Sequence, residues 1–93
     1  MPTLLAPLDV SDLAPPEPLE RILVTLRNLG PDEVLKVHHR REPRPLFPLL
    51  LENGFHYLCR QQGEAAFRIY IWHADSGDLT AFCLADLRAE AIP

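Results

Sequence analysis

Three prolines packed around one glutamate, Pro15-Pro16-Glu17-Pro18, follow directly on the apolar-acidic run Leu8-Asp9-Val10. Proline fixes φ near the helical value and has no N–H, so it costs little where a helix begins and is disruptive further in. The run therefore predicts a short strand delivered onto a stiffened helix start. Leu19, Ile22, Leu23, Leu26 and Leu29 then recur at helical spacing and form one apolar stripe. Glu17 and Glu20 suit the positive end of that helix, Arg27 suits the other, and Gly30-Pro31 supplies the stop.

A strand is expected from about Val34 to His39, with Leu35 and Val37 facing the helices. A second helix is expected from near Pro43 to Gly54, striped by Leu46, Leu49 and Leu50; Pro48 is tolerable there because it falls early in the helix. Residues 55–60 and 66–73 predict two hairpin strands joined by a loop over Gln61-Gln62-Gly63-Glu64. Alternation puts Phe67, Ile69 and Ile71 on one face and Arg68, Tyr70 and Trp72 on the other, with His56 and Leu58 as neighbours of the second set.

The leucine-aspartate strand running into a proline-rich helix start resembles the signature of the SirA/TusA-like sulfur carriers, in which Cys-Pro-x-Pro places a persulfide-bearing cysteine at the helix mouth. Pro15 stands at that cysteine position. The run Glu42-Pro43-Arg44-Pro45-Leu46 resembles the opening of the second helix in an uncharacterised SirA-like subfamily often found beside hemerythrin-type domains. That subfamily usually has Asn-Asp-His just before the acidic-Pro pair, where this chain has His39, Arg40 and Arg41. The resemblance covers roughly residues 5 to 73. It implies an α/β (α+β) two-layer sandwich of order β-α-β-α-β-β, a mixed four-stranded sheet with two helices on one face. The expected division is a domain at 5–75 and a C-terminal extension at 76–93.

With both helices on one face, the other face would leave Tyr70 and Trp72 bare, and an uncovered aromatic patch usually marks an interface. Leu79, Phe82, Cys83 and Leu87 are spaced like one helical face. A C-terminal helix is thus expected to lie on the sheet or on a second copy, making Tyr70, Trp72 and Phe82 the interface residues.

Both helices should open at one edge of the sheet, and that edge is the candidate binding site: Pro15, Pro16, Glu17, Pro18, His38, His39, Arg40, Arg41 and Arg44. Helix-start amides and guanidinium groups favour an anion or an acidic protein surface. The plain alternative is that the arginines are solvated or paired with Glu42 or Glu52 and contribute little.

The rest of the composition narrows the function. The 93 residues, 47% hydrophobic and 24% charged, suit one small-cored domain. A net charge of −4 argues against nucleic acid. No run approaches the length of a membrane span and no basic leader precedes one, so a cytoplasmic location is expected. Cys59 and Cys83 form no Cys-x-x-Cys pair, and the four histidines match no metal spacing, so no metal and no cofactor are expected. Ser11 and Thr80 have no evident histidine partner, and Asp9, Asp12 and Glu17 suit capping as well as acid/base work, so no catalytic residue is assigned and an enzyme is not expected.

The preferred expectation is a noncatalytic binding or adaptor module, set by the resemblance among sulfur, redox or metal-cofactor enzymes. Its alternatives are sulfur transfer through Cys59 or Cys83, and a small-anion or metal-binding sensor. A protein, a small anion and a second copy of the chain are the partners left open.

Overall fold

A computed structural model describes residues 1–91. Its element order is β1 (Thr3–Leu4), β2 (Leu8–Asp9), α1 (Glu17–Leu26), β3 (Glu33–His39), α2 (Leu46–Glu52), β4 (Phe55–Gly63), β5 (Ala66–His73), a 3-10 turn (Ala74–Ser76) and α3 (Thr80–Ala91). The sheet order is β1-β3-β5-β4, and β2 also pairs with β3. It is a mixed α+β sandwich with a four-strand core. β1 and β2 run parallel to β3, while β3–β5 and β4–β5 are antiparallel.

The edge strand is broken for a reason visible in its register. Leu4 lies opposite Val34 but Leu8 lies opposite Val37, so one extra residue is taken up on the edge side, around Pro7. A slip of one residue reverses which face side chains point to. Leu4 consequently packs with Val34, Tyr70 and Trp72, whereas Leu5, Leu8 and Val10 pack with α1 and α2.

Two apolar layers result. Ile22 and Leu26 of α1 and Leu46 and Leu50 of α2 close over Leu35, Val37, Ile69 and Ile71. On the other side Phe82, Cys83 and Leu87 of α3, with Leu79 just before it, close over Val34, Leu58, Tyr70 and Trp72. The alternation expected for β5 places these residues on the two faces as read. Tyr70 and Trp72 are 0% and 1% exposed, so the interface they form is with the chain's own α3, and no second copy is needed to cover them. The expected extension runs to residue 93, and its last two residues lie outside the described ones.

Two expectations need correction. The second helix begins at Leu46 rather than Pro43. A residue before proline is pushed out of the helical region, and both Glu42 and Arg44 precede one, so residues 43–45 form a turn whose carbonyls receive the Leu46 and Phe47 amides instead. The hairpin loop over residues 61–64 is also absent. β4 continues to Gly63 through a register shift between Gln61 and Gly63, which leaves Glu64 and Ala65 as the turn.

Ala65 has φ 51°, a conformation that disfavours any residue with a Cβ. Ala65→Gly is therefore expected to stabilise the protein by about 0.5 kcal/mol after the larger unfolded-state entropy of glycine is subtracted. A melting temperature higher by roughly 2–4 °C would show it, and a fall would contradict it.

α3 is held by charge as well as by apolar contact. Lys36, 7% exposed on the covered face, donates to Asp86 Oδ2 at 2.8 Å and pairs with Glu90 Oε2 at 2.6 Å. Tyr70 Oη donates to the same Asp86 oxygen at 2.6 Å, and Arg68 Nε donates to Glu90 Oε1 at 2.6 Å. Trp72 Nε1 donates to the Gly77 carbonyl at 2.9 Å and ties down the approach to α3.

Candidate functional site

The right-handed β-α-β order brings the starts of α1 and α2 to one rim, beside the end of β3. Between them lies a pocket of about 350 Å³. Pro15, Pro16 and Pro18 line it from the α1 side, Pro43 and Pro45 from the α2 side, and Leu19, Ile22 and Leu46 lie beneath, with His39, Arg41 and Glu42 entering from the end of β3. The Pro15–Pro16 peptide is cis. A second, shallower hollow shares Pro15 and Pro16 and continues along the outside of α1 past Glu17, Glu20 and Val24.

Of the expected binding edge, the pocket brings together Pro15, Pro16, Pro18, His39 and Arg41. Glu17 lies in the adjoining hollow. Arg40 is exposed and outside the pocket lining, and Arg44 is turned to solvent, 83% exposed and paired with Glu42 at 2.6 Å. Such an exposed pair adds little.

His38 does not belong to this edge. Successive strand residues point to opposite faces, so His39 joins the pocket while His38 lies on the α3 side, among the charges of Asp9, Lys36, Arg68 and Glu90. Burial and the nearby Arg68 hold His38 below the usual histidine value, and its Nε2 is buried without a hydrogen-bond partner among the described residues.

The amide cradle expected for an anion is thinned, because the prolines and turns at the helix starts remove or take up all but a few donors, the Leu19 amide being one left without a partner among the described residues. The Glu17 amide is used by the Ala14 carbonyl, Pro18 has no N–H, and the Glu20 amide is used by the Pro16 carbonyl. In α2 the Leu46 and Phe47 amides are used by Pro43 and Arg44, and Pro48 has none. What the rim offers is a largely apolar surface with Arg41 and Glu42 at its side, the Glu42 carboxylate being held by Arg44.

His39 and Arg41 set the polar character of that side. The Arg41 amide donates to His39 Nδ1 at 3.0 Å, so the neutral ring carries its proton on Nε2. Burial, then the neighbouring Arg41 charge, holds His39 below the usual histidine range and keeps it neutral near pH 7. The Arg41 guanidinium forms no ion pair among the described residues.

Neither thiol is near the pocket. Cys59 packs against the α1/α2 layer, and burial, reinforced by Glu42, pushes its thiol up to about 11. Cys83 is fully buried under α3, where burial and then Asp86 push it up to about 12. Both are therefore held as thiols at neutral pH, and a thiol is a poor nucleophile. The histidines are spread apart. His73 Nε2 lies 2.7 Å from the Leu29 carbonyl, and His56 stands edge-on to Trp72. Among the described residues no group of three His, Cys, Asp or Glu side chains is placed to hold a metal.

Sequence reasoning missed Pro43, Pro45, Leu19, Ile22 and Leu46 as pocket residues, although the alternate prolines at 43 and 45 mirror those at 16 and 18 and were a usable signal. It also missed the Lys36 cluster. A lysine inside Val34-Leu35-Lys36-Val37 on a face bearing Tyr70 and Trp72 calls for a buried carboxylate, and Asp86 and Glu90, four apart on a helix, supply two.

Residues 7–73 match the family described as uncharacterized conserved protein (DUF2249). No curated protein and no solved structure matches the chain. No helix among the described residues is long and apolar enough to cross a membrane.

Proposed function

Because the chain belongs to the DUF2249 family of uncharacterized conserved proteins, we propose for it a noncatalytic binding module of SirA/TusA-like descent that docks a protein partner at the rim between α1 and α2. The observation that carries this reading is the proline-walled pocket itself. On the SirA/TusA resemblance it lies at the helix mouth where a carrier would hold its cysteine, with Pro15 and an apolar lining in place of the thiol. An apolar pocket with one or two placed polar groups is a binding site in its general physical form. Nothing at the rim supplies a nucleophile paired with a base: His39 Nδ1 is engaged by a backbone amide, and both thiols lie elsewhere with raised pKa values.

The SirA/TusA resemblance places such a module in the cytoplasm beside enzymes of sulfur, redox or metal-cofactor metabolism. An adaptor that keeps the docking rim and lacks the reactive sulfur would hold a partner without passing a group to it.

The fluorescent probe 1-anilinonaphthalene-8-sulfonate, an aromatic body with one anionic group, tests the pocket directly. Saturable binding to the native protein is expected, with strong loss in Leu19→Asp and Pro45→Asp, whose folding is checked by circular dichroism. Inorganic sulfate should displace the probe poorly, since most helix-start amides an anion would need are absent or already bonded. Binding that is unchanged in both variants, or that sulfate abolishes, contradicts the reading.

A further inference from the structure

Resting on that reading of the rim, we propose that the partner enters the pocket with an aromatic side chain that carries an acidic residue next to it in sequence. Five prolines, Pro15, Pro16, Pro18, Pro43 and Pro45, wall the pocket from two sides. Their rings are rigid apolar plates with no N–H to donate. Proline rings and aromatic faces are mutually complementary, the same contact by which proline-rich peptides dock on aromatic-lined grooves, with the roles of partner and domain exchanged here. An aliphatic side chain would fill the space but not match two flat walls. A polar group would find few backbone donors between them, because the Glu17, Glu20, Leu46 and Phe47 amides are already bonded and Pro18 and Pro48 have none.

The acidic neighbour follows from charge. Glu42 lines the same side, but its carboxylate is held by Arg44 at 2.6 Å, whereas Arg41 has no ion pair among the described residues and the Nε2–H of His39 is a second donor there. A carboxylate adjacent to the inserted ring meets both, and guanidinium is the side chain best shaped for that contact.

The occupant is part of a polypeptide rather than a free aromatic acid because the surface does not end at the pocket. The hollow that shares Pro15 and Pro16 continues along α1 to Val24, which is 53% exposed, and so offers a track for the chain on one side of the inserted residue.

Heteronuclear NMR titrations of the full chain with capped dipeptides test this. Acetyl-Asp-Trp-amide is expected to shift the Leu19, Ile22 and Leu46 signals saturably. Acetyl-Asp-Leu-amide should bind about tenfold more weakly, the amount an aromatic contact adds over an aliphatic one. Arg41→Glu should weaken acetyl-Asp-Trp-amide about two- to fivefold and leave acetyl-Lys-Trp-amide no weaker. Equal binding of the tryptophan and leucine peptides overturns the aromatic assignment while leaving the docking rim intact. Indole-3-acetate binding as tightly as the peptide overturns the polypeptide source. Absence of any saturable shift overturns the inference, and the reading beneath it falls only if 1-anilinonaphthalene-8-sulfonate also fails to bind.

Discussion

Asp86→Ala is expected to lose about 3 kcal/mol of folding stability and to lower the melting temperature by roughly 12–24 °C. Asp86 Oδ2 receives Lys36 Nζ at 2.8 Å and Tyr70 Oη at 2.6 Å, so one truncation leaves a buried ammonium half-compensated and a buried hydroxyl without its acceptor. The large effect comes from what is left behind rather than from the strength of the pair. The combined variant Lys36→Met, Tyr70→Phe and Asp86→Leu removes the same interactions together with the groups that need them. It keeps the Arg68–Glu90 pair and should lie within about 1 kcal/mol of the native protein. Denaturant melts of the two variants make the comparison. An Asp86→Ala loss under about 1 kcal/mol, or a combined variant as unstable as the single one, would refute this account of how α3 is held.

The same cluster fixes the shape of the pH–stability curve. Burial would raise Asp86 and Glu90, but hydrogen bonds from Lys36 to both, from Tyr70 to Asp86 and from Arg68 to Glu90 outweigh it and hold both below the ordinary carboxylate range. Their contribution is present above the unfolded values of 3.8 and 4.5 and is lost as pH falls through the lower folded values. His38 and His39 are also depressed, each chiefly by burial, so the folded state begins to lose stability once pH drops below the unfolded value of 6.5. On the alkaline side burial opposes the Lys36 charge, yet its carboxylate partners leave it raised above 10.5. Tyr70 is raised above 10.0 by burial and then by its bond to Asp86. Both contributions are intact below those unfolded values and are lost as pH rises through the folded ones. Greatest stability is therefore expected between about pH 7 and pH 10, with the acid fall starting near neutrality and steepening among the carboxylates.

Most of the layer structure was legible because it rests on short-range periodicity. The stripe Leu19, Ile22, Leu23 and Leu26 names the core-facing side of α1, Leu29 joins the core just past its end, and alternation along β5 separates Ile69 and Ile71 from Tyr70 and Trp72. The same alternation along β3 parts His38 and His39 to opposite faces, although both were expected at one edge. The pocket was half legible. Prolines are recognisable as helix-start residues from local chemistry alone, but their use as facing walls depends on how α1 and α2 dock, which no local pattern encodes. Their count even argued the wrong way at first, since a helix start suggests free amides and proline is the residue that deletes them. The Lys36–Asp86 contact joins positions 50 residues apart, so it lay beyond any window of periodicity.

A chain ending at residue 78 should stay partly folded but associate more strongly than the full chain. Without α3 the sheet presents Val34, Leu58, Tyr70 and Trp72 as one apolar face, with Lys36 and Arg68 deprived of Asp86 and Glu90. Removing the apolar cover given by Leu79, Phe82, Cys83 and Leu87 forfeits about 4 kcal/mol or more, which is a large share of the stability of a domain this small. An exposed aromatic face of this kind drives association, so sedimentation should show larger species than the longer chain forms at the same concentration. Trp72 is the only tryptophan, and its emission should move to longer wavelength as α3 is removed. A synthetic peptide of residues 78–91 added in excess should reverse the shift, because its acidic pair restores the partners that Lys36 and Arg68 require. Unchanged mass, melting temperature and emission in the shortened chain would mean that α3 rests on the sheet without holding it, and the stability assigned to the Lys36 cluster would have to come from elsewhere.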